Sequence, residues 1–414
     1  MHNRKQSYPI SNKSKSKFGR IIVVTGARQT GKTTLVKSVF KNFKYISIED
    51  PITVEDYKKL SASQWGNLYP RAILDEIQKE PQLIESIKAV YDQFDDSQYI
   101  LLGSSQIMLL KKVKESLAGR CLIFELFPLT LPELLTNSWG DDVIESYFQK
   151  ILSQKEVGDL VSILLDENYS NKTRVYDYYL KFGGYPAITD NSLSTSDRYD
   201  WLRNYVQTYF ERDIRDLAEI RNLEPFTKTQ KLLAINTAQL TNYSQIAADA
   251  GVSSKTVQRF LEYSNISYQT ITLQAWARNS KKRLVKSPKV HFTDVGVLRT
   301  ILNKKDDLNG HEFESAMIAE IYKQAKNLNL NNSFYHLRTS DRREIDLLIE
   351  TEKGYIAIEI KKTENIRAVD ARHFKNLEYL LDKPIIHKYI LSNDTEIKYL
   401  NYGVVAMPAV QFLT

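Results

Sequence analysis

Cysteine is nearly absent from this sequence: Cys121 is the only one in 414 residues. An internal disulfide is therefore excluded, and no Cys/His spacing of the kind that holds zinc occurs. Cys121 stands in the apolar run 121–124, where it reads as a small buried hydrophobe. Long apolar runs are missing too. The stretch from Leu232 to Ala248 is interrupted by Asn, Thr and Gln, so no transmembrane helix and no membrane partner are expected. The apolar run nearest the start, Ile21 to Val24, is too short for a secretory signal. A reducing, cytoplasmic setting is the expectation. Acidic residues are outnumbered, 50 against 57 Lys and Arg, which gives a net charge of +7 and a pI near 9.0. That balance permits a polyanionic partner without proving one. The first 20 residues carry six Lys or Arg and no acid. Residues 1–19 read as a basic disordered tail, with nonspecific phosphate contact as the alternative.

At this length two to four domains are expected, and 42% apolar with 26% charged residues is ordinary for a soluble globular protein. The stretch that organises the chain is Ile21 to Val39. Four β-branched residues, Ile21 to Val24, predict a buried parallel strand. Gly26-Ala27-Arg28-Gln29-Thr30-Gly31-Lys32-Thr33-Thr34 follows, then Leu35, Val36 and Val39 at helical spacing. Strand, glycine loop and helix in that order make a phosphate loop. Gly26 and Gly31 permit turns that aim backbone amides at the β- and γ-phosphates, and the new helix adds its positive end. Lys32 supplies a point charge, and the Thr33 hydroxyl is a Mg²⁺ ligand. ATP and Mg²⁺ are the expected cofactors.

Lys44 to Asp50 predicts a second strand. Ala72-Ile73-Leu74 leads into Asp75-Glu76, an apolar strand ending in two acids. Asp75 would hold Mg²⁺ through a water, and Glu76 would polarise the water that attacks the γ-phosphate. Gln98 to Gly103 is another buried strand. It ends at Ser104 and Ser105, where a hydroxyl senses the γ-phosphate or simply makes a turn.

With these motifs the chain resembles the AAA-type P-loop ATPases. It is similar in particular to a large prokaryotic family whose ATPase core precedes a C-terminal region of unassigned function. Ser116-Leu-Ala-Gly-Arg120, Glu125-Leu-Phe-Pro-Leu-Thr130 and Phe182-Gly-Gly-Tyr-Pro-Ala187 fit that likeness. The core spans 20–170, and Arg120 is the leading candidate for an arginine finger, in cis or from a neighbouring subunit; Arg212 and Arg215 are rivals. A ring or other homo-oligomer is what the resemblance implies. Residues 171–227, rich in Tyr and Trp at helical spacing, read as the helical lid, its aromatics serving as core.

Residues 228–305 read as a winged helix-turn-helix. Ala247 lets two helices cross closely, Gly251 makes the turn, Ser253 caps the second helix, and Val257 and Leu261 face inward. Lys255, Gln258 and Arg259 would face a DNA groove, and the basic wing with Lys281, Lys282 and Arg283 would lie on phosphates. A protein–protein spacer with a solvated basic loop is the other reading.

Residues 306–414 carry a second pattern. Glu314 lies on an amphipathic helix, Asp346 in one strand, and Glu359 and Lys361 on one face of the next. The set resembles the restriction-endonuclease-like superfamily: an acid, then acid-x-Lys on a following hairpin strand, with a helical Glu upstream. Ile345 replaces the usual preceding proline. The resemblance implies Mg²⁺ or Mn²⁺ on Glu314, Asp346 and Glu359, with Lys361 orienting or deprotonating a water. The alternative is a charged strand face pairing Glu359 with Lys361.

The whole is expected to be α/β: an AAA-type P-loop core with helical lid, a winged helix-turn-helix and a C-terminal endonuclease-like α/β domain. The leading functional expectation is a Mg²⁺-dependent ATPase acting on DNA, coupling hydrolysis to DNA binding, remodelling or cleavage, with branched or junction DNA favoured by analogy. A regulatory switch gating a nuclease-like effector and a non-catalytic assembly module are the alternatives.

Overall fold

The four β-branched residues at 21–24 form the centre of the first sheet. The computed structural model describes residues 1–103, 113, 115–156, 165–209, 222–279, 286–339 and 343–414. Its first sheet joins β1 (Ile21–Thr25), β2 (Lys44–Ser47), β3 (Arg71–Asp75), β4 (Gln98–Gly103) and β5 (Cys121–Glu125) in the order β2-β3-β4-β1-β5. All pairings are parallel. Ile21 to Val24 are fully buried, as expected of strands covered on both faces. The Lys32–Val39 helix leaves the phosphate loop directly, with Gly31 as its N-cap.

The second sheet has eight strands in the order β12-β13-β11-β10-β9-β8-β6-β7. Its members are β6 (Thr270–Ala275), β7 (Lys289–Phe292), β8 (Ser333–Arg338), β9 (Glu344–Glu350), β10 (Tyr355–Lys361), β11 (Ile385–Ser392), β12 (Lys398–Leu400) and β13 (Val404–Pro408). β6 and β7 pair antiparallel, and β6 continues the sheet by pairing parallel with β8 through Gln274 and Ala275. One apolar core runs from Leu129 and Phe148 through Tyr176, Leu273 and Met317 to Phe412. The divisions expected at 170 and 305 cut through that core.

Residues 1–19 correct the expectation of a disordered tail. Ser7–Ser14 is a helix that buries Ile10 completely, in a cluster with Ile22, Val24 and Leu35. Arg4 is buried, donates to the Phe127 carbonyl, and lies 3.4 Å from Glu133. Positive charge alone signalled disorder, whereas Ile10, the Arg4 pairing and hydrogen bonds from Asn3 and Gln6 to Thr136, Asp141 and Glu125 dock the segment.

The aromatic stripe is core, as expected. Tyr176 and Tyr179 on the Tyr169–Phe182 helix are buried, and Trp201 stacks on Tyr205 at 5.2 Å and 8°. Two helices, Tyr243–Ala250 and Ser254–Ile266, meet at a short turn. Gly251 caps the Tyr243–Ala250 helix at φ 72°, and Ser253 accepts the Thr256 amide at 3.1 Å. Val257 and Leu261 are buried. No helix among the described residues is long and apolar enough to cross a membrane.

Candidate nucleotide site and the carboxylate group of the second sheet

Gly26 has φ 149°, and a Cβ there would lie 2.1 Å from the Leu126 carbonyl. Gly31 has φ 88°, which a side chain rarely tolerates. These two positions explain why the loop needs glycine at both ends. Between them Gln29 is itself left-handed at φ 62°. Lys32 Nζ donates to Gly26 O at 3.0 Å and to Ala27 O at 2.8 Å, so the ammonium is held against its own loop.

Parallel pairing brings the end of β3 beside the loop. Thr33 donates its hydroxyl to Asp75 Oδ2 at 2.7 Å. A hydroxyl and a carboxylate in contact beside a phosphate loop are a donor set that fits Mg²⁺, with the metal's remaining positions left to water and phosphate. Tyr45 donates to the same Asp75 oxygen at 2.8 Å. Sequence reasoning missed Tyr45, although its place in the neighbouring strand β2 follows from the sheet order. Burial, then Asp75, pushes the Tyr45 phenol up, so it remains a donor. Glu76 sits at φ 56°, a left-handed turn that re-aims its carboxylate, and Gln78 donates to that carboxylate.

Arg120 is placed differently from the expectation of a finger acting in cis. It precedes β5, whose Cys121 pairs with Ile21 at the start of β1, whereas the phosphate loop follows the end of β1. Its guanidinium grips Asp92 of the Gln82–Gln93 helix at 2.9 and 3.3 Å. Parallel register thus puts it at the opposite end of the strands from the phosphate loop. Ser104, Arg212, Arg215, Lys281, Lys282 and Arg283 lie outside the described residues.

A cavity of about 650 Å³ opens beside Gly31 and Thr34. Its walls include Arg4 from the N-terminal segment, Trp139, Arg174, Tyr178 and Pro186. Among the described residues, buried Arg4 Nη1 has no hydrogen-bond partner. Pro186 belongs to the 182–187 phrase, which is anchored by Asp294: Gly184 N donates to Asp294 Oδ2 at 2.7 Å. Asp294 also caps the Val295–Ile301 helix. That capping pattern was visible in Asp294-Val-Gly296, but its reach to Gly184 was not.

Tyr268 ties this site to the rest of the chain. Its hydroxyl lies 3.4 Å from Thr25 Oγ1 and 3.2 Å from Glu125 Oε1, and its ring packs edge-on against Phe127. On the Ser254–Ile266 helix, Lys255, Gln258 and Arg259 are exposed together.

The second sheet carries Asp346 and Glu359 on the neighbouring strands β9 and β10. β9 and β10 are antiparallel neighbours with Leu347 opposite Ile358, and Asp346 Oδ2 accepts the Ile360 amide at 2.8 Å. Glu314, Asp346 and Glu359 are all buried. Lys361 and His373 both contact Glu359 Oε1 at 3.0 Å. What sequence reasoning missed is Lys289 of β7. Its Nζ lies 2.8 Å from Glu314, 2.7 Å from Glu344 and 3.5 Å from Asp346. Burial acts to lower the Lys289 pKa, but Glu314, Asp346 and Glu344 outweigh it and hold the ammonium charged. Burial, then Glu314, raises Asp346 well above the ordinary carboxylate range, against the pull of Lys289.

Two histidines beside this group are buried and neutral. Burial, then the Lys289 charge, pushes His336 down to about 4. His291 is driven well below 6.5 by the same two causes. An unfolded chain takes these protons near 6.5, whereas the folded chain resists until far lower pH. Stability is therefore complete above pH 6.5 and declines as pH falls toward 4. For His336 alone the loss at the acid end is on the order of 3 kcal/mol. A falling melting temperature between pH 6.5 and 4.5 is expected, with a shallower slope for His336→Asn. Parallel slopes for the two proteins would count against it.

Comparison with known proteins divides the chain in three. Residues 19–135 match the family described as AAA domain. Residues 173–308 match Domain of unknown function (DUF8612), and residues 309–412 match Domain of unknown function (DUF4143). An uncharacterized protein of Mycobacterium tuberculosis is 25% identical over 400 residues, covering 95% of this chain and 81% of its own length. One of Methanocaldococcus jannaschii is 25% identical over 377 residues, covering 85% and 78%. Among solved structures, a Walker-type ATPase of Pyrococcus abyssi is similar at TM-score 0.43 and 14% identity, over 71% of this chain and 95% of that one. The AAA match covers the phosphate loop and the acidic strand that faces it. The chain carries an AAA-type P-loop ATPase core.

Proposed function

We propose that this chain is a Mg²⁺-dependent ATPase that acts on DNA, coupling hydrolysis to binding and remodelling of the nucleic acid, with branched or junction DNA as the favoured substrate. The observation that carries the reading is the union of the Thr33–Asp75 contact at the phosphate loop with an exposed, basic second helix bearing Lys255, Gln258 and Arg259. The Tyr243–Ala250 and Ser254–Ile266 helices with the β6–β7 hairpin support a winged helix-turn-helix reading. In it the exposed side chains meet a groove and the segment with Lys281, Lys282 and Arg283 meets phosphates. In the ATPase step the loop amides and Lys32 hold the phosphates, and Thr33 and Asp75 are the residues that would hold Mg²⁺, whose charge would offset that of the phosphates. Glu76 orients and deprotonates the attacking water. An arginine completes the charge balance: Arg120, which pairs with Asp92, would do so from a neighbouring subunit, and Arg212 and Arg215 are its rivals.

ATP turnover measured without DNA, and with single strands, linear duplex and a four-way junction, tests the reading. Stimulation by one DNA structure, weakened in Lys255→Ala/Arg259→Ala and at raised salt, is expected. A flat rate with no shifted DNA would overturn the DNA claim. The Tyr268 contact with Thr25 favours a second reading, a slow regulatory switch, since it joins the phosphate-loop strand to the helix-turn-helix segment. Slow, DNA-independent turnover would select it.

A further inference from the structure

The endonuclease-like pattern implies a divalent metal on Glu314, Asp346 and Glu359, but the residues present do not fit one. The acids are not an open set of oxygens. Lys289 enters from the β6–β7 hairpin, 3% exposed, and places one ammonium within 2.7–3.5 Å of Glu314, Glu344 and Asp346. Those three oxygens come from the Gly310–Asn327 helix and from β9, so one charge joins the hairpin to both. A divalent ion at the same oxygens would stand against the ammonium in a dry site, where repulsion is severe. Glu359 Oε1 is already engaged by both Lys361 and His373, at 3.0 Å each. Among the described residues no three His, Cys, Asp or Glu side chains are arranged to hold a metal.

We propose that Lys289 is the resident cation of this carboxylate group, standing where a divalent metal would sit, and that it fastens the hairpin to the C-terminal sheet. The consequence is a site that takes no metal and cuts no phosphodiester while the hairpin is docked. Lys289 thereby does a metal's structural work with a single charge: it holds acids from separate elements at one point. Lys361, already paired with Glu359, is a strut of the same assembly rather than a base. The inference is independent of the phosphate loop, and loss of ATPase activity would leave it untouched.

Mn²⁺ titration of the nucleotide-free full-length chain, followed by electron paramagnetic resonance, is the test. The wild-type protein is expected to show no Asp346-dependent site up to about 1 mM, the weak end of protein affinities for such hard cations. Lys289→Met is expected to gain one Mn²⁺ site, which disappears in Lys289→Met/Asp346→Asn. Mn²⁺ should raise the melting temperature of Lys289→Met and leave that of the wild type unchanged. If Lys289→Met does not fold, adding Glu314→Gln and Glu344→Gln should restore folding by removing the charges of the two carboxylates that the ammonium contacts directly. An Asp346-dependent Mn²⁺ site in the wild type would overturn the proposal. So would a folded Lys289→Met that binds none, or a triple variant that stays unfolded.

Discussion

Lys32→Ala lowers ATP turnover by about 10²–10³-fold, the loss expected when a donor aimed at developing charge is removed from a water-poor site. The ammonium donates to Gly26 O and Ala27 O, both carbonyls of its own loop. It is therefore held beside the phosphates' landing place and has little distance to travel when they bind. Its stem is buried, so the truncation also removes packing under the loop. Two readouts separate these effects. Nucleotide affinity should fall because the ground-state charge contact is lost, while kcat should fall further because the contact strengthens as charge develops. Glu76→Gln gives the contrasting result: nucleotide is retained and hydrolysis is lost, since its carboxylate acts on water and not on phosphate. A Lys32→Ala protein with unchanged kcat would remove the ATPase mechanism altogether.

What could be read from the sequence was local. Ile21 to Thr33 carries its strand, loop and helix within a few residues, and the buried strand, the turn and the capped helix all follow from short-range spacing. The same holds for Gly251 and Ser253, whose roles depend on neighbours three or four residues away. Asp346 and Glu359 were legible because two adjacent strands with period-two alternation bring them together. Lys289 was not. Nothing near it in sequence marks it, and it meets Glu314 and Asp346 only because β6 adds to β8 and extends the C-terminal sheet past an apparent domain border. Arg120 failed as a cis finger for a similar reason. Its phrase looked right, but register decides which end of a strand it occupies. The N-terminal segment misled through composition, since its basic residues drew the eye from Ile10 and from the Asn3, Arg4 and Gln6 side chains that dock it.

The largest stability effect is expected at Lys323, in the middle of the Gly310–Asn327 helix. Lys323 and Glu320 are both fully buried, 3.0 Å apart. Glu320 Oε1 also accepts the Leu131 amide at 2.7 Å and Gln324 Nε2 at 2.9 Å, while Lys323 Nζ reaches the Leu129 carbonyl at 3.3 Å. The pair therefore clamps the 129–131 turn of the ATPase core to the long C-terminal helix. Removing one partner leaves the other charge in the core, and Lys323→Met is expected to cost about 3–5 kcal/mol. Glu320→Gln in the same chain should recover much of that, because an amide oxygen still accepts from Leu131 and no charge is stranded. Several cores share this chain, so the measurement is the shift of the first calorimetric transition and not a single two-state free energy. Leu129 accepts from Lys323, bonds Gly184 through its amide and lines the cavity beside Gly31 and Thr34. Loosening the clamp should thus raise the KM for ATP as well as lower the melting temperature. A Lys323→Met protein that melts as the wild type does would show the clamp to be energetically idle. A large melting shift with an unchanged KM would confine its role to holding the two units together.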